Sequence, residues 1–251
     1  MTSQTEKPWW RTEFAVETYK TIGIAAFFFL FMPTLLFQPF RIPSSSMEGT
    51  LEIGDYLFVS KFTYGYSQYS FPFFTPVAFA GRVMDSPAKR GDVVVFRLPK
   101  DPTQDYIKRV IGLPGDRVQM IDGLLYINGE PVKMERIEDR IETNAYGDEL
   151  HVERYTETLP GGVTHVVLRR PERPGLDNTK EFKVPPGHYF MMGDNRDNSN
   201  DSRADVGFVP AQNLVGRAEI VFFSHDGSAQ LWEVWKWPFA IRYSRFLNLI
   251  E

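Results

Sequence analysis

Residues 106–129 read YIKRVIGLPGDRVQMIDGLLYING, and this stretch predicts consecutive hairpins of antiparallel strands. Short alternating or apolar runs are separated by Pro114-Gly115, Asp122-Gly123 and Asn128-Gly129. Asp-Gly and Asn-Gly favour two-residue hairpin turns, because both central residues of such a turn take positive φ. Pro-Gly marks a turn in the same way. The stretch is therefore predicted to contain at least three strands joined by tight turns.

Strand signals continue along the chain, and no long amphipathic helix is expected after residue 45. Short runs rich in β-branched and other apolar residues occur at 92–96, 163–169, 188–192 and 217–223, which is the pattern of strands. Many short strands joined by turns favour a barrel or a sandwich. We therefore predict a mainly β protein.

An insertion or side domain is predicted at residues 123–183. From residue 130 onward the chain is rich in Glu, Arg, Thr and Asn and contains Pro160-Gly161-Gly162. This composition favours a polar, β-rich unit that is less regular than the rest. The β-core would then comprise residues 41–122 and 184–224, and the role of the insertion stays open.

The segment Thr21–Phe40 contains no charged residue and is predicted to be a transmembrane anchor. Crossing the hydrocarbon core takes about 20 apolar residues, and this segment is apolar on all sides. A buried helix of a soluble protein and a cleavable signal peptide are the alternatives. Gln38-Pro39-Phe40-Arg41 follows the most apolar part, which differs from the small-residue cleavage site of a signal peptide.

The distribution of basic residues predicts how the anchor is oriented. Lys7, Arg11 and Lys20 precede it, whereas Arg41 is the only basic residue between the anchor and Lys61. Because basic residues accumulate on the cytoplasmic side, residues 1–20 are expected in the cytoplasm. A single-pass protein of the cytoplasmic membrane would result, with residues 41–251 on the extracytoplasmic side.

Composition excludes several classes of function. The net charge of −4 offers no basic surface for nucleic acid. The chain contains no cysteine, so disulfides, thiolate catalysis and Cys-ligated zinc are excluded. No HExxH or comparable spacing of ligands indicates a metal. We therefore expect no cofactor, no metal and no nucleic-acid partner.

Two aromatic clusters, residues 62–80 and 232–246, stand apart from the strand pattern. Burial in the core would account for some of these rings. Exposed aromatic residues beside Lys and Arg are also typical of the membrane interface. We favour membrane contact and interpret residues 225–251 as an aromatic, membrane-proximal C-terminal segment.

Three serines, Ser44-Ser45-Ser46, follow the predicted anchor closely. A serine hydroxyl becomes a useful nucleophile only when a base removes its proton. No Gly-x-Ser-x-Gly elbow surrounds any serine, and nothing in the spacing of the histidines supports a His-based triad. The four histidines of the chain are His151, His165, His188 and His225.

Lys108 is the alternative base, because it lies in the predicted strand 106–112 among apolar residues. A free lysine has a pKa of about 10.4, and a base acting near neutral pH needs roughly 7–8. Burial can lower the pKa, since desolvation penalises the ammonium form. A solvated strand lysine stays the competing interpretation.

The stretch 191–203, MMGDNRDNSNDSR, allows two interpretations. It is either a turn rich in Asn and Asp or a hydrogen-bonded scaffold that orients a catalytic group. Composition alone does not separate them.

Four motifs together resemble bacterial type I signal peptidases: PSSSMEGTL (43–51), RGDVVVF (90–96), YIKRVIGLPGD (106–116) and GDNRDNSNDSR (193–203). The resemblance implies a membrane-anchored Ser–Lys protease with a barrel-like catalytic domain of antiparallel strands. Such an enzyme removes signal peptides from exported preproteins after small side chains. Exported preproteins and the lipid bilayer are therefore the expected partners.

The resemblance also implies roles for individual residues. Ser46 would be the nucleophile and Lys108 the general base, while the Ser44 hydroxyl would join the Ser46 backbone N–H in the oxyanion hole. Ser199 would orient the lysine. Two further sets complete the expectation: a structural pair, Asp201 and Arg203, and the substrate-pocket residues Phe40, Ile42, Met47, Leu51, Tyr106 and Ile107. The family often has Gly where this chain has Ser45.

Two rival interpretations are kept. A self-cleaving Ser–Lys regulator of related fold would need no membrane anchor, so Thr21–Phe40 argues against it. A membrane-tethered β-rich binding module would carry these motifs by chance.

Overall fold

The computed structural model describes residues 13–71, 81–143, 149–170, 175–229 and 232–251. Most of the predicted cytoplasmic segment and residues 72–80 of the first aromatic cluster lie outside these ranges.

The prediction of a mainly β protein is confirmed, because the described residues contain sixteen strands and little helix. The strands are β1 (Phe37–Arg41), β2 (Asp55–Ser60), β3 (Val93–Leu98), β4 (Asp101–Gly112), β5 (Arg117–Ile121), β6 (Leu124–Ile127), β7 (Glu130–Pro131), β8 (Lys133–Arg136), β9 (Arg140–Thr143), β10 (Glu149–Thr158), β11 (Thr164–Arg169), β12 (Phe182–Lys183), β13 (His188–Met192), β14 (Val209–Pro210), β15 (Leu214–Ser224) and β16 (Asn248–Leu249).

The predicted hairpins form where the dipeptides stand. Asp122-Gly123 joins β5 to β6, and Asn128-Gly129 joins β6 to β7. All four residues have positive φ, at 46° and 78° in the first turn and 58° and 87° in the second. The local turn chemistry therefore fixes this part of the fold, as the sequence predicts.

The strands form three antiparallel sheets. The main sheet has the order β1-β2-β15-β3-β4-β13-β14, with β16 paired to β15. A side sheet consists of β11-β10-β8, with β9 paired to β10, and a hairpin sheet has the order β12-β5-β6-β7. The strands of the predicted insertion 123–183 divide between these two smaller sheets. The division of the chain into core and insertion stays a prediction.

Apolar side chains fill the space beneath the sheets. One cluster of buried residues includes Leu57, Val59 and Val221, which come from neighbouring strands of the main sheet. Met47 and Leu51, from the segment after β1, are fully buried in the same cluster. Burial of such a side chain stabilises the fold by roughly 1.5–3 kcal/mol. The segment that carries the serine cluster is therefore fastened to the core.

The N-terminal helix runs directly into the main sheet. It is α-helical at α1 (Glu13–Ala26) and continues with π-type hydrogen bonding over Phe27–Leu36. Together these 24 residues are long and apolar enough to cross a membrane, and their most apolar window is not buried. At the junction, the Tyr66 hydroxyl donates to the Leu35 carbonyl at 2.6 Å, and the Lys61 N–H donates to the Leu36 carbonyl at 2.9 Å.

Candidate active site

Ser46 lies in a single 3₁₀ turn, Ser45–Met47, shortly after β1. Backbone N–H groups of Thr50 and Leu51 donate to the Met47 carbonyl at 3.1 and 2.8 Å. Together with the buried Met47 side chain, these bonds fix the turn. Ser46 is buried, with 7% of its surface exposed, so its hydroxyl has a defined environment.

Lys108 reaches the Ser46 hydroxyl from β4. Its Nζ lies 2.7 Å from Ser46 Oγ and donates to the Ile107 carbonyl at 2.8 Å. The ammonium also lies 5.4 Å from the centre of the Tyr106 ring, which is on the same strand face, as alternation predicts. Only 3% of Lys108 is exposed. The competing interpretation, a solvated strand lysine, is therefore wrong.

Burial lowers the pKa of Lys108 to about 8, although the carboxylates of Asp201 and Asp194 act in the opposite direction. At pH 7, a group with this pKa is neutral in roughly a tenth of the molecules. A neutral amine at 2.7 Å can accept the Ser46 proton. The geometry therefore places Lys108 where a base for Ser46 would have to lie.

The Ser44 hydroxyl lies on the open side of this pair. Ser44 has extended backbone geometry, and its Oγ is 3.5 Å from Ser46 Oγ. Both serines line the same cleft, but Ser44 is exposed whereas Ser46 is buried. A hydroxyl in this place can donate to a group that approaches Ser46 from the cleft.

The loop 193–203, which follows β13, holds the Ser46 turn from behind. The Asn195 N–H donates to the Ser46 carbonyl at 3.2 Å, and the Asn195 side chain donates to the Ser45 carbonyl at 3.0 Å. Asn198 Nδ2 donates to the Ser45 hydroxyl at 2.7 Å. Gly193 packs so closely that a Cβ would collide with the Ser46 carbonyl. The interpretation of this stretch as a hydrogen-bonded scaffold agrees with these contacts.

Ser199 is placed in the same loop, and its hydroxyl is buried. A Cβ on Gly193 would collide with this hydroxyl as well as with Ser46, so both serines line one small space. Within the described part of the chain, the Ser199 hydroxyl has no hydrogen-bond partner. The predicted bond to Lys108 is therefore not formed in this structure, and its orienting role stays a prediction.

Asp201 and Arg203 form a buried, two-pronged ion pair. Arg203 Nε and Nη2 donate to the two carboxylate oxygens at 2.9 and 2.8 Å. Asp201 also accepts from the Gly193 N–H at 3.1 Å, and Arg203 donates to the Arg196 carbonyl at 2.6 Å. Burial alone would raise the pKa of Asp201, but the Arg203 charge and these hydrogen bonds hold it below its ordinary value. The pair therefore closes the loop on itself.

A cleft of about 570 Å³ opens in front of Ser46 and Lys108. Of the residues predicted to line substrate pockets, Phe40, Ile42, Tyr106 and Ile107 line this cleft. Met47 and Leu51 lie beneath it in the core. Four polar residues that the sequence analysis did not single out complete the walls: Arg41, Asp105, Asn198 and Asn200.

Comparison with known families supplies the identity. The profile of the family described as "Signal peptidase, peptidase S26" matches residues 15–223. The chain belongs to this family. The S26 peptidase is 43% identical to signal peptidase I of Rickettsia typhi over 221 residues, which cover 85% of this chain and 80% of that protein. It is 44% identical to signal peptidase I of Rickettsia prowazekii over 197 residues, covering 76% and 73%.

A solved structure is also similar. The signal peptidase I of Enterococcus faecalis V583 is 28% identical to this S26 peptidase, with a TM-score of 0.32. The match covers 53% of this chain and 97% of that structure.

The S26 peptidase is therefore a serine endopeptidase with signal peptidase I activity. This activity implies preproteins that carry signal peptides as substrates. Family membership and the N-terminal apolar helix are consistent with a membrane anchor. The rival interpretation as a binding module without catalysis is excluded.

A buried ion network behind the site was missed by the sequence analysis. Arg109 donates to both oxygens of Asp194, at 2.9 and 2.8 Å, and Arg196 does the same to Glu157, at 2.8 and 2.6 Å. The available signal was Arg109 itself, a charged residue inside an apolar strand. With the pair in the loop, the network holds three cations and three anions: Arg109, Arg196, Arg203, Asp194, Glu157 and Asp201.

Proposed function

We propose that this peptidase cleaves preproteins with a catalytic dyad of Ser46 and Lys108. The observation that carries the proposal is the 2.7 Å contact between the Ser46 hydroxyl and a lysine amine that is buried. No histidine hydrogen-bonds to Ser46 among the described residues. A lysine whose pKa is lowered to about 8 by burial can act as a base without one.

Cleavage is proposed to proceed through an acyl-enzyme in which Ser46 carries the acyl group. Ser46 Oγ attacks the carbonyl carbon of the scissile bond while neutral Lys108 takes the hydroxyl proton. The resulting oxyanion accepts hydrogen bonds from the Ser46 N–H and the Ser44 hydroxyl, each worth roughly 3–4 kcal/mol in the transition state. Protonated Lys108 then gives its proton to the leaving amine as the C–N bond breaks. Water, deprotonated by Lys108, then attacks the acyl-serine ester, and Lys108 returns the proton to Ser46 Oγ as the ester C–O bond breaks.

The scissile segment is proposed to bind as an extended strand between β1 and β4. Within the described ranges, β1 pairs only with β2, so its other edge is free. β4 pairs with β13 only from Arg109 onward, so residues 105–107 also present a free edge. An extended peptide can add to such edges. The apolar side chains of Phe40, Ile42 and Tyr106 then restrict the residue before the cleaved bond to small side chains.

The domain is proposed to sit on the extracytoplasmic surface of the cytoplasmic membrane, held by the apolar helix that ends at Leu36. The predicted anchor is shortened at this end, because Phe37–Arg41 form β1. Support comes from an aromatic patch, defined as Trp232, Trp235, Phe239 and Tyr243, which are 59–87% exposed. Rings of this kind favour the interface between lipid and water. Flotation of a fragment comprising residues 37–251, which keeps β1, with liposomes tests this contact, and a folded fragment that stays in solution contradicts it.

Cleavage of a model preprotein by detergent-solubilised protein tests the dyad. Wild type should release the signal peptide, whereas Ser46→Ala and Lys108→Ala should each lose the activity by several orders of magnitude. Asn248→Ala, an exposed strand residue away from the cleft, serves as the control. Cleavage by either dyad variant at the wild-type rate refutes the proposal.

A further inference from the structure

A buried carboxylate of the side sheet, Glu157, is bound by the active-site loop. Glu157 on β10 faces His165 on β11 in the strand register, and Glu157 is fully buried. Its two oxygens accept from Arg196 Nη1 and Nη2 at 2.8 and 2.6 Å. Arg196 belongs to the loop 193–203 and is 2% exposed. A two-pronged pair of this kind fixes the guanidinium in direction as well as in distance.

Arg196 bonds to the backbone of Gly193, which in turn packs against the Ser46 turn. Its Nε donates to the Gly193 carbonyl at 3.3 Å, and Gly193 packs against the Ser46 carbonyl. The preceding residue, Asn195, donates its N–H to the same Ser46 carbonyl. Any displacement of Arg196 therefore moves the backbone against which the nucleophile turn rests.

His165, the other basic side chain near Glu157, does not replace the ion pair between Arg196 and Glu157. His165 lies 3.5 Å from Glu157 and 3.7 Å from Asp194, beyond hydrogen-bond distance. Its two ring nitrogens have no hydrogen-bond partner among the described residues. Burial lowers the pKa of His165 to about 4, so the ring is neutral at pH 7. Among the residues that the structure describes, Arg196 is thus the only cation that hydrogen-bonds to Glu157.

We propose that Glu157 is a positioning residue of this peptidase, which fixes the Ser46 turn through Arg196. The side sheet, whose role the sequence left open, is then part of the active-site structure. This inference rests on the proposed function of Ser46 and Lys108. Two independent contacts join the same elements: the Leu168 N–H donates to the Asp194 carbonyl at 2.9 Å, and the Arg170 N–H donates to Asp197 at 2.7 Å.

Glu157→Gln in the full-length, detergent-solubilised protein tests the inference. The amide keeps the shape but cannot balance the charge of Arg196. A misplaced nucleophile slows the chemical step, so kcat should fall roughly 10- to 100-fold. KM should change less than about threefold, because residues 40–46 and 105–108 form most of the cleft wall, to which the loop adds Asn198 and Asn200. Glu135→Gln is the matched control, since Glu135 lies on β8 of the same sheet and pairs with Lys133 in solvent.

Hydrogen exchange measured by mass spectrometry adds a readout that loss of folded protein would not imitate. In Glu157→Gln, peptides from loop 193–203 should exchange faster, while those from β3 and β4 keep wild-type protection. Arg196→Lys tests the same link if Glu157→Gln does not fold, because it keeps the charge and loses the two-pronged geometry. Wild-type kcat and wild-type loop protection in either folded variant overturn the inference. If Ser46→Ala or Lys108→Ala cleaves at the wild-type rate, the proposed function fails instead.

Discussion

The pH dependence of cleavage is the sharpest test of the proposal that buried Lys108 is the base. Burial lowers the pKa of Lys108 from 10.5 to about 8. At pH 7 the neutral fraction is then roughly 9%, compared with roughly 0.03% for an exposed lysine, a gain of about 300-fold in active base. Between pH 6 and pH 9 the neutral fraction rises from roughly 1% to roughly 90%. We therefore expect kcat/KM to rise about 90-fold over this range and to level off above pH 8.

The assay measures kcat/KM, because this quantity reports the pKa of the free enzyme. A preprotein-derived peptide without ionisable side chains near the cleaved bond removes titration of the substrate. The slope should be one decade per pH unit below pH 8. A midpoint near 6.5 would indicate a histidine base, and a rate that still rises steeply at pH 10 would indicate an exposed lysine. Either result refutes the argument from burial.

Three further predictions concern stability. The pKa of Lys108 is about 8 in the folded chain and 10.5 in the unfolded chain, so between these values only the unfolded chain holds the proton. The free energy of unfolding should therefore rise with pH from 8 to 10.5. Lys108→Met should abolish cleavage yet raise the free energy of unfolding at pH 7 by up to about 3 kcal/mol, because it removes the buried charge. A lower Tm in this variant contradicts the burial penalty. Ser45→Gly removes the bond from Asn198, so urea unfolding should show a loss of about 1 kcal/mol with kcat within a few-fold of wild type; a large loss of kcat would assign Ser45 to the chemistry. Asp201→Asn leaves Arg203 buried without its anion and should cost about 3–5 kcal/mol in the same measurement; an unchanged unfolding midpoint would show that the pair is dispensable.

The sequence predicted the features that depend only on residues adjacent in the chain, namely the hairpin turns and the face of β4 that carries Lys108. The turns at Asp122-Gly123 and Asn128-Gly129 form because their dipeptides tolerate positive φ, and this requirement is local. The face of β4 that carries Lys108 follows from strand alternation. The partnership of Lys108 with Ser46 came from the family resemblance, since no local rule brings together residues 62 positions apart.

Other features depend on tertiary packing, and the sequence could not reveal them. Met47 and Leu51 were expected to line the cleft but lie in the core, because an apolar side chain suits either place. Glu157 and Arg196 look like surface charges in a polar stretch. Both side chains are buried only because the side sheet packs on the loop. A buried charge is strongly destabilising without a partner, so Glu157 and Arg196 each need the other.

The ion network also explains how Lys108 can serve as the proposed base beside acidic neighbours. Asp201 and Asp194 both act to raise the pKa of Lys108, which would keep the amine protonated and inactive. Each of these carboxylates is bound by an arginine, Arg203 and Arg109, through two hydrogen bonds. An anion already paired with a cation exerts a weaker field on a third charge, because the two contributions largely cancel. The arginines therefore let the loop keep its buried carboxylates, which hold its backbone, while burial of Lys108 still determines the charge of the base.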